Sequence, residues 1–312
     1  MIEYFRTDAK SRSLVKLDEE HDGCWIALFE PTEDEIRGIS QRFSIDEEDL
    51  RAPLDPEEVS RVEVNDHYTM FIVDTPVRVG SDGSQGYETI PIGVFETPEH
   101  VISVCSRYRI PIIAGLKAQR GLYDTFQIKE FTSNLLMASS TAYFRALHSL
   151  DRRRKEVSAD TAKPSRKDLE ELYTLDESFV YFTTSLATND TAFERYRRYV
   201  LLGCSKEVRE IFDDVSLENR QALETTRIYS DILDSTIDHF DRILSYDLNR
   251  TMQLVATITL VLCVPTVIGG LFGMNLSGIP FTDSPYGFAI VTGITAIVLV
   301  LMLVLLKRLK WF

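Results

Sequence analysis

The chain has 312 residues and a formal net charge of −14, from 34 basic and 48 acidic side chains. This acidic balance argues against a nucleic-acid partner, because such a partner needs a basic face. The four cysteines show no Cys-x-x-Cys spacing, so neither a disulfide framework nor a zinc ribbon is predicted.

Residues 1–125 are predicted to form an N-terminal cytoplasmic α/β domain. The first residues carry charges and lack an apolar core, so no signal peptide is predicted. Thr32 and Glu35 stand at the spacing of a capping box, which predicts a helix start. Apolar runs predict strands at 24–29, 68–79, 87–95 and 100–105. The glycine-containing stretch 80–86 joins two of these strands, so we expect a hairpin loop there rather than a phosphate-binding loop.

Residues 126–204 are predicted to form a cytoplasmic helical hairpin. Apolar side chains spaced three, four or seven apart indicate an amphipathic helix: Phe131, Leu135, Leu136, Tyr143, Leu147 and Leu150. A break around Pro164 separates it from a second helix that starts at Arg166. The basic run 152–155 is interpreted as a solvated helix face, with a membrane-facing or ion-repelling collar as the alternative.

Residues 205–272 are predicted to form one stalk helix that continues into a first transmembrane span. No charged side chain occurs at 251–282 or at 284–306, and about 20 apolar residues suffice to cross a bilayer. The spans are expected at 251–272 and 286–306, with a short external loop at 273–285 and a basic tail at 307–312. A helix of this length needs neighbours, so we expect a homo-oligomer embedded in membrane lipid.

Basic residues flank this membrane hairpin on one side: Arg242, Arg250, Lys307, Arg308 and Lys310. The loop between the spans has no Lys or Arg. The positive-inside rule therefore predicts a multi-pass protein of the cell membrane with both termini in the cytoplasm.

One face of the first span forms a continuous stripe at helical spacing, and the upper part of this stripe is small or mildly polar. They are Asn249, Met252, Val255, Thr259, Cys263, Thr266 and Gly270. Two interpretations stay open at this point. Small residues favour close helix packing in lipid, or the same stripe lines a water path along the axis of a symmetric ring.

The tripeptide Gly273, Met274 and Asn275 at the end of the first span resembles the signature of the CorA family of magnesium channels. Pro265 and Thr266 within the span, Gly270 before the tripeptide and the basic tail 307–312 extend the resemblance. The order of parts is similar from end to end, and the likeness at residue level is specific for 249–275. The resemblance implies a pentameric funnel with the first span inside, and an α+β cytoplasmic domain with a helical hairpin.

The resemblance further implies potential-driven uptake of Mg²⁺, with Gly273, Met274 and Asn275 as the outer selectivity ring. Because Mg²⁺ dehydrates reluctantly, amide and carbonyl oxygens such as that of Asn275 would contact the ion through its water. A divalent ion gains about 4.6 kcal/mol per 100 mV of inside-negative potential, so passive inward flow suffices. Asn249 and Thr266 match pore positions, and Met252 and Val255 would form an apolar gate.

Other implications concern regulation and ion choice. Glu210, Asp213 and Asp214 are the nearest match to the carboxylates with which the family senses internal Mg²⁺; a solvated acidic helix turn is the alternative. Cys263 stands where related channels often have methionine, and the loop lacks an acid directly after the tripeptide. Transport of Co²⁺, Ni²⁺ or Zn²⁺ therefore stays open.

The sequence also bears on two other function classes. An enzyme is not expected, because the five histidines are scattered and no nucleophile motif or organic cofactor motif occurs. A membrane-anchored receptor or scaffold without transport is the remaining alternative, and it predicts no requirement for Asn275.

Overall fold

The computed structural model describes residues 1–8, 13–79, 86–107, 124–159, 164–274, 278–281 and 284–308. Within these ranges a mixed sheet is formed by the strands β1 (Ile2–Thr7), β2 (Leu14–Leu17), β3 (Trp25–Phe29), β4 (Arg61–Val64), β5 (Thr69–Val79), β6 (Gly86–Glu96) and β7 (Val101–Cys105). The helices are α1 (Glu33–Phe43), α2 (Glu47–Arg51), α3 (Ile128–Val157), α4 (Arg166–Tyr199), α5 (Lys206–Phe272) and α6 (Gly287–Arg308).

The strands lie in the order β2-β1-β3-β7-β6-β5-β4. All neighbouring pairs are antiparallel except β3 and β7, which run parallel. β5 and β6 pair from Thr69 opposite Glu96 to Val79 opposite Gly86. This pairing confirms the predicted hairpin; its loop, residues 80–85, lies outside the described residues.

Both faces of the sheet are covered, which explains why β3 is apolar at every position. On one face Trp25 and Ala27 pack into a core with side chains from α3, α4 and the start of α5, among them Phe131, Tyr196 and Phe212. On the other face Ile26 and Leu28 pack with residues of α1 and α2. The result is a layer of helices on each side of one sheet.

Local sequence signals start the helices where they were expected. The Thr32 hydroxyl accepts a hydrogen bond from Glu35 N, and the Glu35 carboxylate accepts one from Thr32 N, which confirms the capping box. Ser165 and Asp168 form a second box at the start of α4. Such caps satisfy amide groups that have no partner inside the helix.

The helical hairpin and the long helix are confirmed. α3 and α4 have the predicted extents within a few residues, and α5 continues without interruption through Pro265. The four predicted strands correspond to β3, β5, β6 and β7. The strands β1, β2 and β4 and the short helix α2 were not predicted.

The basic run 152–155 pairs with nearby acids. Arg154 and Lys155 contact the Asp151 carboxylate at 2.8 and 2.6 Å, and Arg153 forms an ion pair with Glu171 of α4. Arg152 lies 3.9 Å from Glu156. The run is therefore an ion-paired helix surface in this chain.

The chain divides into two units, Met1–Ile237 and Asp238–Phe312. The first unit contains the sheet, α1 to α4 and the beginning of α5, and the second contains the rest of α5 together with α6. The six segments inferred from the sequence are finer than this division and stay predictions.

Candidate functional site

Helices α5 and α6 each contain a stretch that is long and apolar enough to cross a membrane. Only 6% of that stretch is buried in either helix. A core helix of a soluble protein would be covered by its own chain, whereas these two expose their apolar side chains. Extended apolar surface of this kind is typical of segments that meet a membrane or another protein chain.

The predicted stripe on α5 is exposed along its whole length in the single chain. Met252 and Val255 are 62% and 52% exposed, and the other five members are also exposed. Leu254 and Leu262 outside the stripe are exposed to a similar degree. The exposed fraction therefore does not distinguish a pore face from a lipid face. The hydrogen-bonding groups of the side chains are the remaining criterion.

The hydroxyl groups of the stripe have a defined orientation. Thr259 donates to the carbonyl of Val255 and Thr266 donates to that of Leu262, each over 2.8 Å. Because each hydroxyl proton is already bound to the helix backbone, the outward lone pairs can accept hydrogen bonds. Acceptors of this kind suit the water shell of a hydrated cation.

α5 ends at the predicted tripeptide. Gly273 N donates to the carbonyl of Gly269 at 2.9 Å, which closes the last turn. A Cβ atom on Gly273 would lie 3.1 Å from that same oxygen, which is closer than most side chains tolerate. Met274 follows with half of its surface exposed. Asn275 lies outside the described residues, so its role in a selectivity ring stays a prediction.

The turn into α6 brings two backbone segments very close together. A Cβ on Gly287 would lie 2.3 Å from the carbonyl oxygen of Phe281. Phe281 itself has φ of 68°, and Gly278 has φ of 95°. Positive φ is costly for side chains other than glycine. The described part of this connection therefore has no room for a side chain at Gly287.

The three predicted sensor acids do not meet in a single chain. Glu210 pairs with Lys206 on its own helix at 2.9 Å, and Asp213 pairs with Arg197 of α4 at 3.1 Å. Asp214 is exposed. Among the described residues, no group of three or more His, Cys, Asp or Glu side chains is placed to hold a metal ion.

Arg197 is a contact that the sequence did not indicate. It lies 16 positions before Asp213 and on another helix, so no spacing rule connects the two residues. Any cation that binds the Asp213 carboxylate must compete with this guanidinium.

Together, these features define a membrane protein with a folded α+β region, one long helix and a second apolar helix. The model of the CorA family, described as "CorA-like Mg2+ transporter protein", matches residues 20–308 of this chain. The chain therefore belongs to this family.

Individual relatives agree with this assignment. The "Cobalt/magnesium transport protein CorA" of Methanocaldococcus jannaschii is 25% identical over 315 residues, covering 97% of this chain and 98% of the relative. The protein of the same name from Thermotoga maritima is 21% identical, over 64% of this chain and 58% of the relative.

The fold is also found in solved structures. The complete structure of the M. jannaschii CorA magnesium transporter superposes with a TM-score of 0.82 at 24% identity, covering 100% of this chain and 99% of the other. The full-length CmaX protein gives a TM-score of 0.71 at 16% identity, covering 99% and 97%. These two likenesses confirm the predicted fold of the single chain, and the oligomeric state stays a prediction.

Proposed function

We propose that copies of this chain assemble around the stripe on α5 and form a passive channel for Mg²⁺ uptake across the cell membrane. The single observation that carries this proposal is the exposed stripe on α5, whose Thr259 and Thr266 hydroxyls can accept hydrogen bonds and which lies directly before Gly273 and Met274. The relatives named as cobalt/magnesium transport proteins support the choice of ion and leave Co²⁺ as the second candidate.

Within this assembly Gly273, Met274 and Asn275 form the ring that selects the hydrated ion. Amide and carbonyl oxygens replace outer water contacts and leave the inner water shell of Mg²⁺ in place. The residues below the ring offer the same acceptor chemistry at Thr266 and Thr259. Met252 and Val255 supply apolar side chains at the narrow cytoplasmic end, where loss of water closes the path.

The assembly is a homo-oligomer, and both termini of each chain lie in the cytoplasm. A pentamer is the number that the family resemblance implies. The exposed apolar surface of the second unit supports contacts with lipid and with other copies. The orientation rests on the basic residues that flank the hairpin at Arg242, Arg250 and Lys307.

Glu210, Asp213 and Asp214 sense internal Mg²⁺ in this proposal. Because they form no site in one chain, the remaining ligands come from a neighbouring copy. Mg²⁺ would displace Arg197 from Asp213, and the ion thereby links two subunits when internal Mg²⁺ is plentiful.

The test is ion flux into liposomes that contain the purified protein, with an inside-negative potential and with Mg²⁺, Co²⁺, Ni²⁺ and Zn²⁺ compared side by side. We expect Mg²⁺ influx that Asn275→Ala abolishes. Tyr286→Phe removes an exposed hydroxyl group near the same loop but outside the tripeptide and should leave the influx unchanged. Absence of flux for every ion would refute the channel, and a fully active Asn275→Ala would refute the selectivity ring.

A further inference from the structure

A cavity between the end of α4 and the start of α5 is lined largely by arginine. Its volume is about 320 Å³, and its lining residues are Glu194, Arg197, Arg198, Leu201, Leu202 and Arg209. Ligand sites in proteins begin at about 300 Å³, so the space suits a small ligand. The cavity belongs entirely to the first unit of the chain.

The charge of the lining is positive although the protein is strongly acidic. The net charge of −14 repels anions from most of the surface. Glu194, the one acid of the lining, accepts a hydrogen bond from Arg220, which also pairs with Asp190, so the charge of Glu194 is partly offset. With three arginines and one acid, the lining itself carries a net positive charge.

The arginines differ in how they are held. Arg197 is fixed by its ion pair with Asp213, whereas neither Arg198 nor Arg209 has an ion pair with any other described residue. Both are exposed. A cavity with one oriented and two uncompensated guanidinium groups has the composition of an anion site.

We propose that this cavity binds a small polyvalent phosphate anion. A guanidinium group presents N–H donors in a planar fork that matches two phosphate oxygens at once. Groups from the end of one helix and the start of the next approach the anion from two directions. The two leucines complete the wall and offer no competing acceptor.

The shared chemistry of this ligand is a phosphate chain, which a free pyrophosphate or the tail of a nucleotide can supply. Calorimetry with full-length protein in detergent, in buffer free of divalent cations, distinguishes these sources by comparing pyrophosphate, adenosine diphosphate and inorganic phosphate. Tighter binding of adenosine diphosphate than of pyrophosphate would indicate a nucleotide, and the reverse order a free anion.

Variants decide whether the cavity is the site. Arg198→Gln and Arg209→Gln should each raise the dissociation constant for pyrophosphate about tenfold or more, because each removes a charged hydrogen-bond donor. Arg195→Gln is the matched control, since it removes one exposed positive charge from α4 outside the cavity. It should change the dissociation constant less than about twofold.

Three results would overturn the proposal. They are absence of pyrophosphate binding up to millimolar concentrations, binding that survives both cavity variants, and an equal loss in Arg195→Gln. The three substituted residues, Arg195, Arg198 and Arg209, are exposed. We therefore expect each variant to keep the thermal midpoint of the parent protein, and thermal unfolding of the same samples measures this.

Discussion

The two units of the chain differ in how far they bury their apolar side chains. Met1–Ile237 buries large aromatic residues on both faces of its sheet. Among the described residues of Asp238–Phe312, the buried hydrophobic side chains are Phe240 and Leu306. The first unit therefore has a core of its own, whereas the described residues of the second unit leave most of their apolar side chains uncovered by the same chain. Mutations should have different consequences in the two units.

The largest difference is expected between a core residue and an exposed membrane residue. Trp25 is 1% exposed, packs 5.0 Å from the Phe5 ring and donates to the Ser103 hydroxyl at 2.9 Å. Trp25→Ala should lower the free energy of unfolding by about 3–5 kcal/mol. Leu262 is 63% exposed in the second unit, and Leu262→Ala should cost less than about 0.5 kcal/mol in detergent.

Thermal unfolding of the purified protein, followed by circular dichroism, measures both changes. Equal destabilisation by Trp25→Ala and Leu262→Ala would show that apolar packing within the chain stabilises the two units to the same extent.

A second expected effect concerns an acid inside the first unit. Asp74 lies on β5, where its backbone N–H donates to the Asn189 side chain at 2.9 Å. Burial raises the pKa of Asp74 to about 6, although the Ser185 hydroxyl partly opposes the shift. Because the folded state holds its proton more tightly than the unfolded state, stability decreases as the pH rises from about 4 to about 6.

Asp74→Asn removes this dependence. Above about pH 7 the variant should be more stable by up to about 3 kcal/mol, and near pH 3 the two proteins should differ little. Asp231→Asn makes the same chemical change at an exposed position of α5; because it keeps Asp74, its stability should follow the pH profile of the parent. Thermal midpoints measured across this pH range provide the test, and a parallel profile for Asp74→Asn and the parent would contradict it.

A smaller effect is expected in the second unit, at the turn before α6. Gly287→Ala places a Cβ against the Phe281 carbonyl and should cost about 1–3 kcal/mol through forced backbone movement. Gly293 lies on the same helix with nothing within 4 Å of its Cβ position. Gly293→Ala should therefore leave the thermal midpoint of the detergent-solubilised protein nearly unchanged. Identical behaviour of the two variants would show that the tight turn has no structural role.

The sequence predicted the helices better than the strands, for physical reasons. Helical periodicity over many turns predicted α3, α4 and α5 because every turn repeats the same signal. In β1 the alternation is masked, since Glu3 is only 7% exposed and pairs with Lys16 of β2 at 2.7 Å. β4 is an edge strand of only four residues, in which charged and apolar side chains alternate, and this is too short to predict a strand.

Within the candidate site, too, features on one helix could be predicted from the sequence, whereas contacts between helices could not. The stripe from Asn249 to Gly270 follows from the helix period alone, and its continuation to Gly273 follows from the unbroken helix. The ion pair of Asp213 with Arg197 joins two helices whose packing no local pattern encodes. Contacts between neighbouring copies lie further still from what one sequence predicts.

The central claim is that the stripe on α5 faces the ion path, and Cys263 allows a direct test. Of the four cysteines, Cys24 and Cys105 are buried, Cys204 is partly covered, and Cys263 is exposed on the stripe. A charged thiol reagent that does not cross membranes reaches a residue in a water path and does not reach one that faces lipid.

The measurement is Mg²⁺ influx into liposomes before and after this reagent, for the parent protein and for Cys263→Ser. We expect the reagent to block influx through the parent protein and to leave influx through Cys263→Ser unchanged. Influx through the parent protein that the reagent does not change, or equal inhibition of both proteins, would contradict the placement of this face in the ion path.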